Sequence, residues 1–516
     1  MRCLHRGRQA LAALADVLEH ESDAVTVAHA RQAASQLPNL DHCRDQALPK
    51  TRDAPLSDAT TLALAAVTAL RSVGKHAEAE ARLDAVLANS SSPRARARGL
   101  LERSRIRWLN NDYPGARQAL RDAALLAADL GDDVFLAQIR VALAEDASTE
   151  QLPEAEVRAL IEAARVDVRR AGNPSELQFG VAVAEGNFHY TNRRYEQSLA
   201  AFRNAVALAT ELPGAPAATA RARLAMALQN AGQHDEALRT AEAAIEVGRR
   251  MLGDDNLALS RILGNVAGVR ERAGDHAGAR DLLAQVVAIR EARLGKDHPA
   301  TAGALVELAY MDAVLGDFRA SAETADRALA ILVATQEPHG LQATNARMAV
   351  GHARYKLGEY EAARAAYGQA LHDVEERAGS DAPATSTYHY ALGQVAFAQG
   401  RHDDALAAYE RSMPADGGNS RATMAALFGI GRTQMAMDRV DAVATLRRAV
   451  AMANEILGNP SQIAELRFAL ARALYQFDQQ EEALTIAHEA VAAMTRDVNG
   501  TVIDEARAWL AERAPP

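Results

Sequence analysis

Two cysteines and two histidines have the residue types of a zinc site. Cys3 and His5 lie at the start of the chain, and His42 and Cys43 follow at the end of a helix-forming segment. In a helical hairpin these two ends lie side by side, and Cys₂His₂ suits tetrahedral zinc. Cys-x-His is a tight spacing for two ligands on one helix, however, and His42 and Cys43 are adjacent. We therefore expect two cysteines packed as small apolar groups, with a disulfide or a zinc site as the alternatives.

Other stretches resemble catalytic motifs only in part. Gly74-Lys75 lacks the upstream glycine of a phosphate-binding loop, and Phe428–Arg432 lacks the third glycine of a dinucleotide fingerprint. Lys296-Asp297-His298 is better explained as a linker, because Gly295 can end one helix and Pro299 can begin the next. Asp297 is then expected to accept from the free amides of that next helix. The sequence predicts no enzyme and no cofactor.

Four histidines follow turns at a place where other turns have a tyrosine or a phenylalanine. Since they replace rings of similar size, we expect them to pack rather than to react. The histidines are His76, His234, His276 and His402, and the equivalent rings are Tyr113, Tyr195, Phe318 and Tyr360.

Composition excludes several classes of protein. The chain has 516 residues, a net charge of −10 and 4% aromatic residues. Acidic excess disfavours a nucleic-acid partner, and no apolar run is long enough for a membrane span. Asp16 and Glu19 interrupt the leucines near Met1, which argues against a signal peptide. Two cysteines fit a reducing compartment, so we expect a cytoplasmic protein.

A turn recurs along most of the chain. The residue five positions after the turn is alanine in nine cases and serine in two, and a glycine or an alanine recurs seven positions before the better-ordered turns. Small residues at both places let two helices approach closely. The turns are expected near Gly74, Asn111, Glu150, Arg193, Gly232, Gly274, Gly316, Gly358, Gly400, Met437 and Asp478.

This spacing predicts an all-α protein of about eleven antiparallel helix pairs, stacked because no pair can bury its apolar face alone. Three segments follow from it. Residues 1–44 form an N-terminal helical hairpin, residues 45–57 a linker, and residues 58–516 the helical repeats.

The pattern of Gly-x-aromatic-x-x-Ala, with a small residue seven before the turn, resembles the tetratricopeptide repeat. The spacing of 42 and LGKDHPAT resemble the kinesin light chain-like variety. The resemblance implies a right-handed α-solenoid whose first helices line a groove through positions 2, 3, 6, 9, 10 and 13 before each turn. It implies a peptide-binding groove of Asn187, Tyr190, Arg223, Asn230, Asn265, Arg272, Tyr310, Asn345, His352, Tyr355, Lys356, Tyr390, Gln394, Arg432, Arg472 and Tyr475.

Residues 1–43 resemble the segment that follows the catalytic domain in bacterial serine/threonine protein kinases with C-terminal tetratricopeptide arrays. Cys3-Leu4-His5-Arg6 and Leu37–Cys43 carry the resemblance. It implies the recognition part of a kinase signalling system, with the kinase domain in cis or in trans, although this chain has no kinase motif.

The expected function is a non-catalytic scaffold that binds a protein or peptide segment, with no nucleic acid and no membrane span. The alternative is a ligand- or peptide-sensing regulator that switches an attached output domain.

Overall fold

The structure is a computed structural model that describes residues 10–17, 19, 58–72, 75–109, 112–149, 152–212, 216–334, 339–380, 382–414, 418, 420–495 and 500–513. Residues 10–17 and 19 are helical. The remainder of the predicted hairpin, the linker 45–57 and the Cys3, His5, His42 and Cys43 group lie outside these residues. Within the described ranges there is no strand. The predicted all-α fold class is confirmed.

The chain divides into two compact units, Met1–Ala304 and Leu305–Pro516. In the first unit the helices alternate as first and second members of antiparallel pairs. They are α1 (Asp58–Ser72), α2 (His76–Asn89), α3 (Pro93–Leu109), α4 (Tyr113–Asp129), α5 (Asp133–Thr149), α6 (Glu154–Arg170), α7 (Ser175–Thr191), α8 (Tyr195–Leu208), α9 (Pro216–Asn230), α10 (His234–Leu252), α11 (Leu257–Arg272) and α12 (His276–Leu294).

The boundary between the units falls within α13 (Pro299–Val314). In the second unit the pairs continue in the same order, and one last helix follows them. The helices are α14 (Phe318–Ala334), α15 (Leu341–Lys356), α16 (Tyr360–Ala378), α17 (Ser386–Ala398), α18 (His402–Arg411), α19 (Arg421–Ala436), α20 (Asp441–Ile456), α21 (Pro460–Gln476), α22 (Gln480–Ala493) and α23 (Val502–Arg513).

The turns inside the pairs are built on a left-handed residue. Five of the predicted glycines have φ between 72° and 85°, namely Gly232, Gly274, Gly316, Gly358 and Gly400. Glycine adopts this conformation without the steric cost of a Cβ atom. Arg193 and Asp478 adopt it as well. Near Met437 the left-handed residue is Asp438, one position later. Gly74, Asn111 and Glu150 lie outside the described residues.

Where an aspartate follows a turn glycine, its carboxylate caps the second helix. The Asp275 carboxylate accepts from the Gly278 amide at 2.9 Å, and the Asp317 carboxylate accepts from the Ala320 amide at 3.0 Å. Each bond satisfies an amide that has no partner inside the helix. The Gly-Asp pair therefore both ends one helix and starts the next.

The linker between α12 and α13 differs in detail from the sequence expectation. Gly295 is left-handed, as expected, but His298 rather than Asp297 caps the next helix, because its Nδ1 accepts from the Ala300 amide at 3.1 Å. The buried Arg293 donates to the Asp255 carbonyl at 2.7 Å and also to the Asp255 carboxylate. It thereby ties this linker to the preceding one.

The small residue five positions after each turn lies in the helix interface. Ten of the eleven predicted alanines and serines there are buried with at most 1% exposure. Ser198 shows how close the helices come, since its hydroxyl donates to the Gly186 carbonyl at 2.9 Å.

The prediction fails at Ala155, which is exposed. The helix α6 begins at Glu154, so the residue three positions into the helix is Val157, and Val157 is buried with 3% exposure. In the other pairs, except the one of α20, which begins only at Asp441, that same helical position carries the small residue. The connection before α6 is therefore longer than the repeat pattern assumes, which shifts the register by two residues.

The size of the residue seven positions before a turn, glycine or alanine, varies with the size of the residue nine positions after that turn, which lies opposite it. A Cβ built on Gly351 would lie 2.5 Å from Cε1 of Tyr367, and one on Gly393 would lie 2.7 Å from Cδ1 of Tyr409. Gly186 faces Phe202 in the same way. Where alanine replaces this glycine, the opposite residue is smaller than an aromatic ring: it is alanine in the Ala225/Ala241, Ala309/Ala325 and Ala471/Ala487 pairs and leucine in the Ala267/Leu283 pair. Volume is thus conserved across the interface.

We predict that Gly351→Ala lowers the free energy of unfolding by about 1–3 kcal/mol, because the added methyl group collides with the Tyr367 ring. When Tyr367 is also replaced by alanine, Gly351→Ala is expected to leave the free energy of unfolding unchanged, because an alanine–alanine pair occurs at this place in other repeats. Urea unfolding followed by circular dichroism measures both effects.

Gly368→Ala is the matched control, because a Cβ there meets nothing within 4 Å. It is expected to stabilise the chain by about 0.5–1 kcal/mol, as alanine does in helix interiors. An equal loss from Gly351→Ala in both backgrounds would contradict the packing argument.

Candidate functional site

The predicted groove residues all belong to first helices of pairs. We call the members in the first unit, on α7, α9 and α11, the first groove set, and those in the second unit, from Tyr310 onward, the second groove set. Their assignment to a binding groove remains a prediction. The structure shows which of them bond to the chain itself and which do not.

Asn187 and Arg223 of the first groove set bond to each other. Arg223 Nη1 donates to Asn187 Oδ1, and Asn187 Nδ2 donates to Ser148 Oγ at 3.3 Å. The chain of bonds thus joins α9, α7 and α5. Arg223 Nε is buried and has no hydrogen-bond partner in the described part of the chain. One donor of this guanidinium is therefore left for another acceptor.

Tyr190 and Asn230 form a second link between neighbouring first helices. Asn230 Nδ2 donates to the Tyr190 hydroxyl at 2.8 Å and to the Met226 carbonyl at 2.9 Å. The Tyr190 ring also lies edge-on to Tyr195, with the centroids 6.1 Å apart. These two residues are held in fixed orientations by the fold.

The side chains of Asn265 and Arg272 on α11 have no hydrogen bond or ion pair with any described residue. Arg272 is exposed and Asn265 is partly exposed. Their side-chain donors and acceptors are open to an external ligand.

Two charged residues that the sequence analysis omitted lie near this set. Glu145 on α5 interacts electrostatically with Arg223 on α9 and Arg261 on α11, and burial raises the pKa of Glu145 to about 7. Arg261 lies 13 positions before Gly274, so the repeat pattern already placed it on the groove. Glu145 had no such signal, because it lies five positions before the predicted turn at Glu150, which is not one of the groove positions.

Aromatic rings and one arginine dominate the second groove set. The guanidinium of Arg432 lies 5.0 Å from the Phe397 ring centroid and 5.5 Å from that of Phe428. Burial raises the pKa of Tyr355 and of Tyr390, and Arg432 opposes both shifts, so the three groups are close in space. Arg432 is exposed and forms no hydrogen bond or ion pair within the described residues.

The remaining members of the second groove set differ in their contacts with other residues and in their exposure. His352 lies edge-on to Phe318 with the centroids 6.2 Å apart, and Lys356 Nζ lies 6.0 Å from the same ring. Gln394 Nε2 donates weakly to the Tyr390 hydroxyl at 3.5 Å. Asn345 is exposed, and Tyr310 is 54% exposed.

The last helix covers Arg472 and Tyr475. Arg472 Nη1 donates to the Glu505 carboxylate at 2.9 Å, and the Tyr475 ring lies edge-on to Trp509 with the centroids 5.3 Å apart. Arg513 adds a cation–π contact 5.6 Å from the Tyr475 centroid. Both residues already have intramolecular partners on α23, so they are poorer candidates for ligand contact than the rest of the set.

Two of the turn histidines contact other rings. His402 packs against Phe397 with the centroids 5.8 Å apart, at the same place where Tyr360 packs against Tyr355. His76 lies 6.4 Å from His298 within the first unit. Burial, together with the neighbouring His76 and Arg290, lowers the pKa of His298 to about 4. His298 is therefore neutral near pH 7.

No group of three or more His, Cys, Asp or Glu side chains that could hold a metal occurs in the described residues. None of the described helices is long and apolar enough to cross a membrane.

Family models match several parts of the chain. Residues 64–133 match one tetratricopeptide-repeat model, and residues 216–292, 260–333 and 341–417 match another. Together these matches cover more than half of the sequence. The chain belongs to the tetratricopeptide-repeat family. The predicted family is thus confirmed, and tetratricopeptide arrays are typically non-catalytic scaffolds for protein–protein interaction.

Solved structures are similar to parts of this tetratricopeptide chain. Tetratricopeptide-like repeats of a putative kinesin light chain from Podospora anserina are 20% identical and cover 38% of this chain and 96% of their own, with a TM-score of 0.34. A Rap protein complexed with Competence and Sporulation Factor is 13% identical, with 73% and 99% coverage and a TM-score of 0.44. A tetratricopeptide repeat protein from Parabacteroides merdae is 15% identical, with 58% and 99% coverage and a TM-score of 0.40.

None of the curated proteins compared with this tetratricopeptide chain matches its sequence.

We predict that Trp509→Ala loosens α23 from α21 and exposes Tyr475, because the substitution removes the ring that packs on Tyr475 and Phe468. The loss of packing should amount to about 2–4 kcal/mol. Amide hydrogen exchange in α21 and α23 measures it.

Trp108→Ala is the matched control, because Trp108 packs against Tyr113 in the first unit. It should leave exchange in α21 and α23 unchanged. Slow exchange of α23 in the Trp509→Ala protein would show that this helix does not depend on the ring.

Proposed function

We propose that this tetratricopeptide chain is a non-catalytic scaffold that binds an extended segment of another protein along its groove residues. Its family supports the general role. The observation that carries the specific assignment is a set of first-helix side chains with no hydrogen bond or ion pair to the rest of the described chain, namely Asn265, Arg272, Asn345 and Arg432.

The chemistry of these groups suits a peptide backbone. An extended segment has an amide donor and a carbonyl acceptor at each residue, and an asparagine side chain can pair with both. Asn265 and Asn345 lie on α11 and α15, each in the first helix of its pair. Arginine adds directional donors for carbonyl or carboxylate groups of the segment.

Tyrosine and arginine supply anchors for side chains. Tyr310 is about half exposed, and Arg432 lies between two phenylalanine rings that limit its rotamers. Large side chains that the fold already holds in place lose little conformational entropy on binding, which favours them as contacts that dominate affinity.

We further propose that this chain is the recognition part of a bacterial serine/threonine kinase signalling system. The support is the N-terminal sequence Cys3-Leu4-His5-Arg6 and Leu37–Cys43, which resembles the segment after the catalytic domain in kinases with tetratricopeptide arrays. In this arrangement the kinase domain, in cis or in trans, supplies the catalysis and the repeats select the protein that it meets.

An array of immobilised random dodecapeptides tests the binding role. The full chain is expected to retain a subset of the peptides, and Asn265→Ala, Arg272→Glu and Tyr310→Ala should each weaken their retention by about tenfold or more. Circular dichroism should show unchanged helix content, because none of the three side chains is buried.

Arg250→Glu is the control. Arg250 is exposed on the second helix α10, where it pairs with Glu246, and its reversal should leave retention unchanged. Absence of retained peptides, or equal retention by all the variants, would contradict the proposal.

The kinase link has its own test. A serine/threonine kinase domain encoded directly upstream of Met1, or one that co-purifies with the chain, would support it. The lack of both would contradict it and leave the binding role intact.

A further inference from the structure

One imidazole ring in the second unit is held by a buried carboxylate. His339 lies two residues before α15, and its Nδ1 is 2.8 Å from Oδ1 of Asp373 on α16. The Asp373 side chain is 1% exposed, whereas the His339 side chain is 53% exposed. The bond therefore joins a buried acceptor to a ring that is largely open to solvent.

The other oxygen of Asp373 is engaged by α15. Arg347 Nη1 donates to Oδ2, and the Thr344 hydroxyl lies 3.3 Å from the same oxygen. Arg347 is itself buried, so its guanidinium balances the negative charge of the carboxylate within the helix pair. Since both oxygens have partners, the orientation of the carboxylate is fixed.

The bond to Asp373 also determines the tautomer of His339. An ionised carboxylate can only accept hydrogen bonds, so Nδ1 must carry the hydrogen, and a neutral imidazole has only one N–H. The lone pair of the neutral ring is therefore on Nε2. An aspartate that orients a histidine in this way also stabilises the positive charge that the ring gains when Nε2 bonds to an electrophile.

Arg377 supplies positive charge beside His339. Its Nη1 donates to the His339 carbonyl and, at 2.9 Å, to the Thr344 hydroxyl. Its Nε and Nη2 form no hydrogen bond with any described residue, and the residue is exposed. Arginine donors suit the oxygens of a phosphoryl group. A nucleophilic ring nitrogen and unused arginine donors thus lie at one place in the fold.

A neighbouring histidine lacks this arrangement. His372 on α16 lies edge-on to His339 with the centroids 6.3 Å apart, and its side chain is 62% exposed. Its Nε2 lies 3.3 Å from the exposed Glu376 carboxylate, and its Nδ1 has no hydrogen-bond partner among the described residues. The two rings are therefore similar in location and exposure but differ in which nitrogen meets a carboxylate.

The surroundings of His339 favour group transfer over metal binding. Among the described residues, no group of three or more His, Cys, Asp or Glu side chains could hold a metal ion. Transfer to Nε2 needs fewer groups, namely the ring, the carboxylate that orients it and a cation beside the transferred group. His339, Asp373 and Arg377 supply these three.

We propose that Nε2 of His339 accepts a phosphoryl group from a phosphoramidate, which is a donor with a P–N bond. The lone pair of Nε2 attacks phosphorus, and the donor nitrogen takes the electron pair of the P–N bond and leaves as an amine. The ring becomes a phosphorylated imidazolium whose Nδ1–H stays bonded to Asp373, while Arg377 offers donors to the phosphoryl oxygens. This inference does not depend on the binding role proposed above.

Incubation of the full chain with potassium phosphoramidate at neutral pH tests the site. His339 should be phosphorylated about tenfold faster than His372, or more, because an orienting carboxylate contributes much of the reactivity of a histidine. Mass spectrometry without acid locates the phosphoryl group, and phosphorus-31 NMR distinguishes Nε2 from Nδ1. His339→Gln should remove this one product and so identify its signal.

The tautomer can be measured without changing the buried pair. Nitrogen-15 spectra of the histidine-labelled chain show which ring nitrogen carries hydrogen. At about pH 8, where an ordinary histidine is neutral, the signal that His339→Gln removes should show hydrogen on Nδ1 and a lone pair on Nε2.

A double variant tests the role of the carboxylate. Asp373→Asn with Arg347→Gln removes both buried charges together, so neither is left uncompensated. It should slow the phosphorylation of His339 about tenfold, to the rate of His372, because the ring is no longer oriented. The rate of His372 should not change. Asp403→Asn, which changes an exposed aspartate on α18, is the control and should leave both rates unchanged.

Several results would overturn the proposal. They are equal rates for His339 and His372, a phosphoryl group on Nδ1 of His339, or hydrogen on Nε2 in the nitrogen-15 spectra. Undiminished phosphorylation of His339 in a double variant with unchanged helix content would do so too. If the double variant does not fold, the comparison of the two histidines and the tautomer decide the question.

Discussion

Close contact between the two helices of a pair is the constraint on which the rest of the structure depends. Ser198 shows how close the two helices are, because its hydroxyl donates to the Gly186 carbonyl at 2.9 Å. A contact this short requires small residues at both places, and alanine meets the requirement in most of the other pairs. Where an aromatic ring such as that of Tyr367 lies in the helix interface, the residue that faces the ring is glycine. Interior packing at this density tolerates little change in volume.

The same constraint determines where function can reside. Because alanines fill the interface, the larger polar and aromatic residues are left on other faces of the first helices. Some of them link neighbouring helices, as Asn230 does with Tyr190, and some remain unbonded, as Asn265 does. The linking residues hold the surface in shape, while the unbonded ones supply the donors and acceptors that a partner requires.

Most of the fold could be predicted from the sequence, because turns and small residues are local signals. Gly274-Asp275 identifies both a left-handed turn and a helix cap. The sequence misplaced the register at Ala155, where the connection before α6 is longer and no glycine marks the turn. It also placed the turn at Met437, although the left-handed residue is Asp438.

Less of the candidate site could be predicted, because its contacts are not local. Positions counted back from a turn identified Arg432, but they could not show that Phe397 and Phe428 flank it. They also could not show that α23 covers Tyr475. Glu145 was missed for two reasons. It lies five positions before the predicted turn, which is not a groove position, and the arginines that interact with it lie more than seventy residues away in the sequence.

The most direct test compares two alanines at the same place in the repeat. Ala279 is fully buried between the helices of its pair, whereas Ala155 is exposed. Leucine and alanine have similar helix propensities, so Ala→Leu changes mainly the volume at each site. Ala279→Leu should lower the unfolding midpoint of the full chain, with a loss of about 1–3 kcal/mol or more in the free energy of unfolding. Ala155→Leu should barely change the midpoint. Equal effects of the two substitutions would contradict the claim that close helix contact at these small residues holds the structure together.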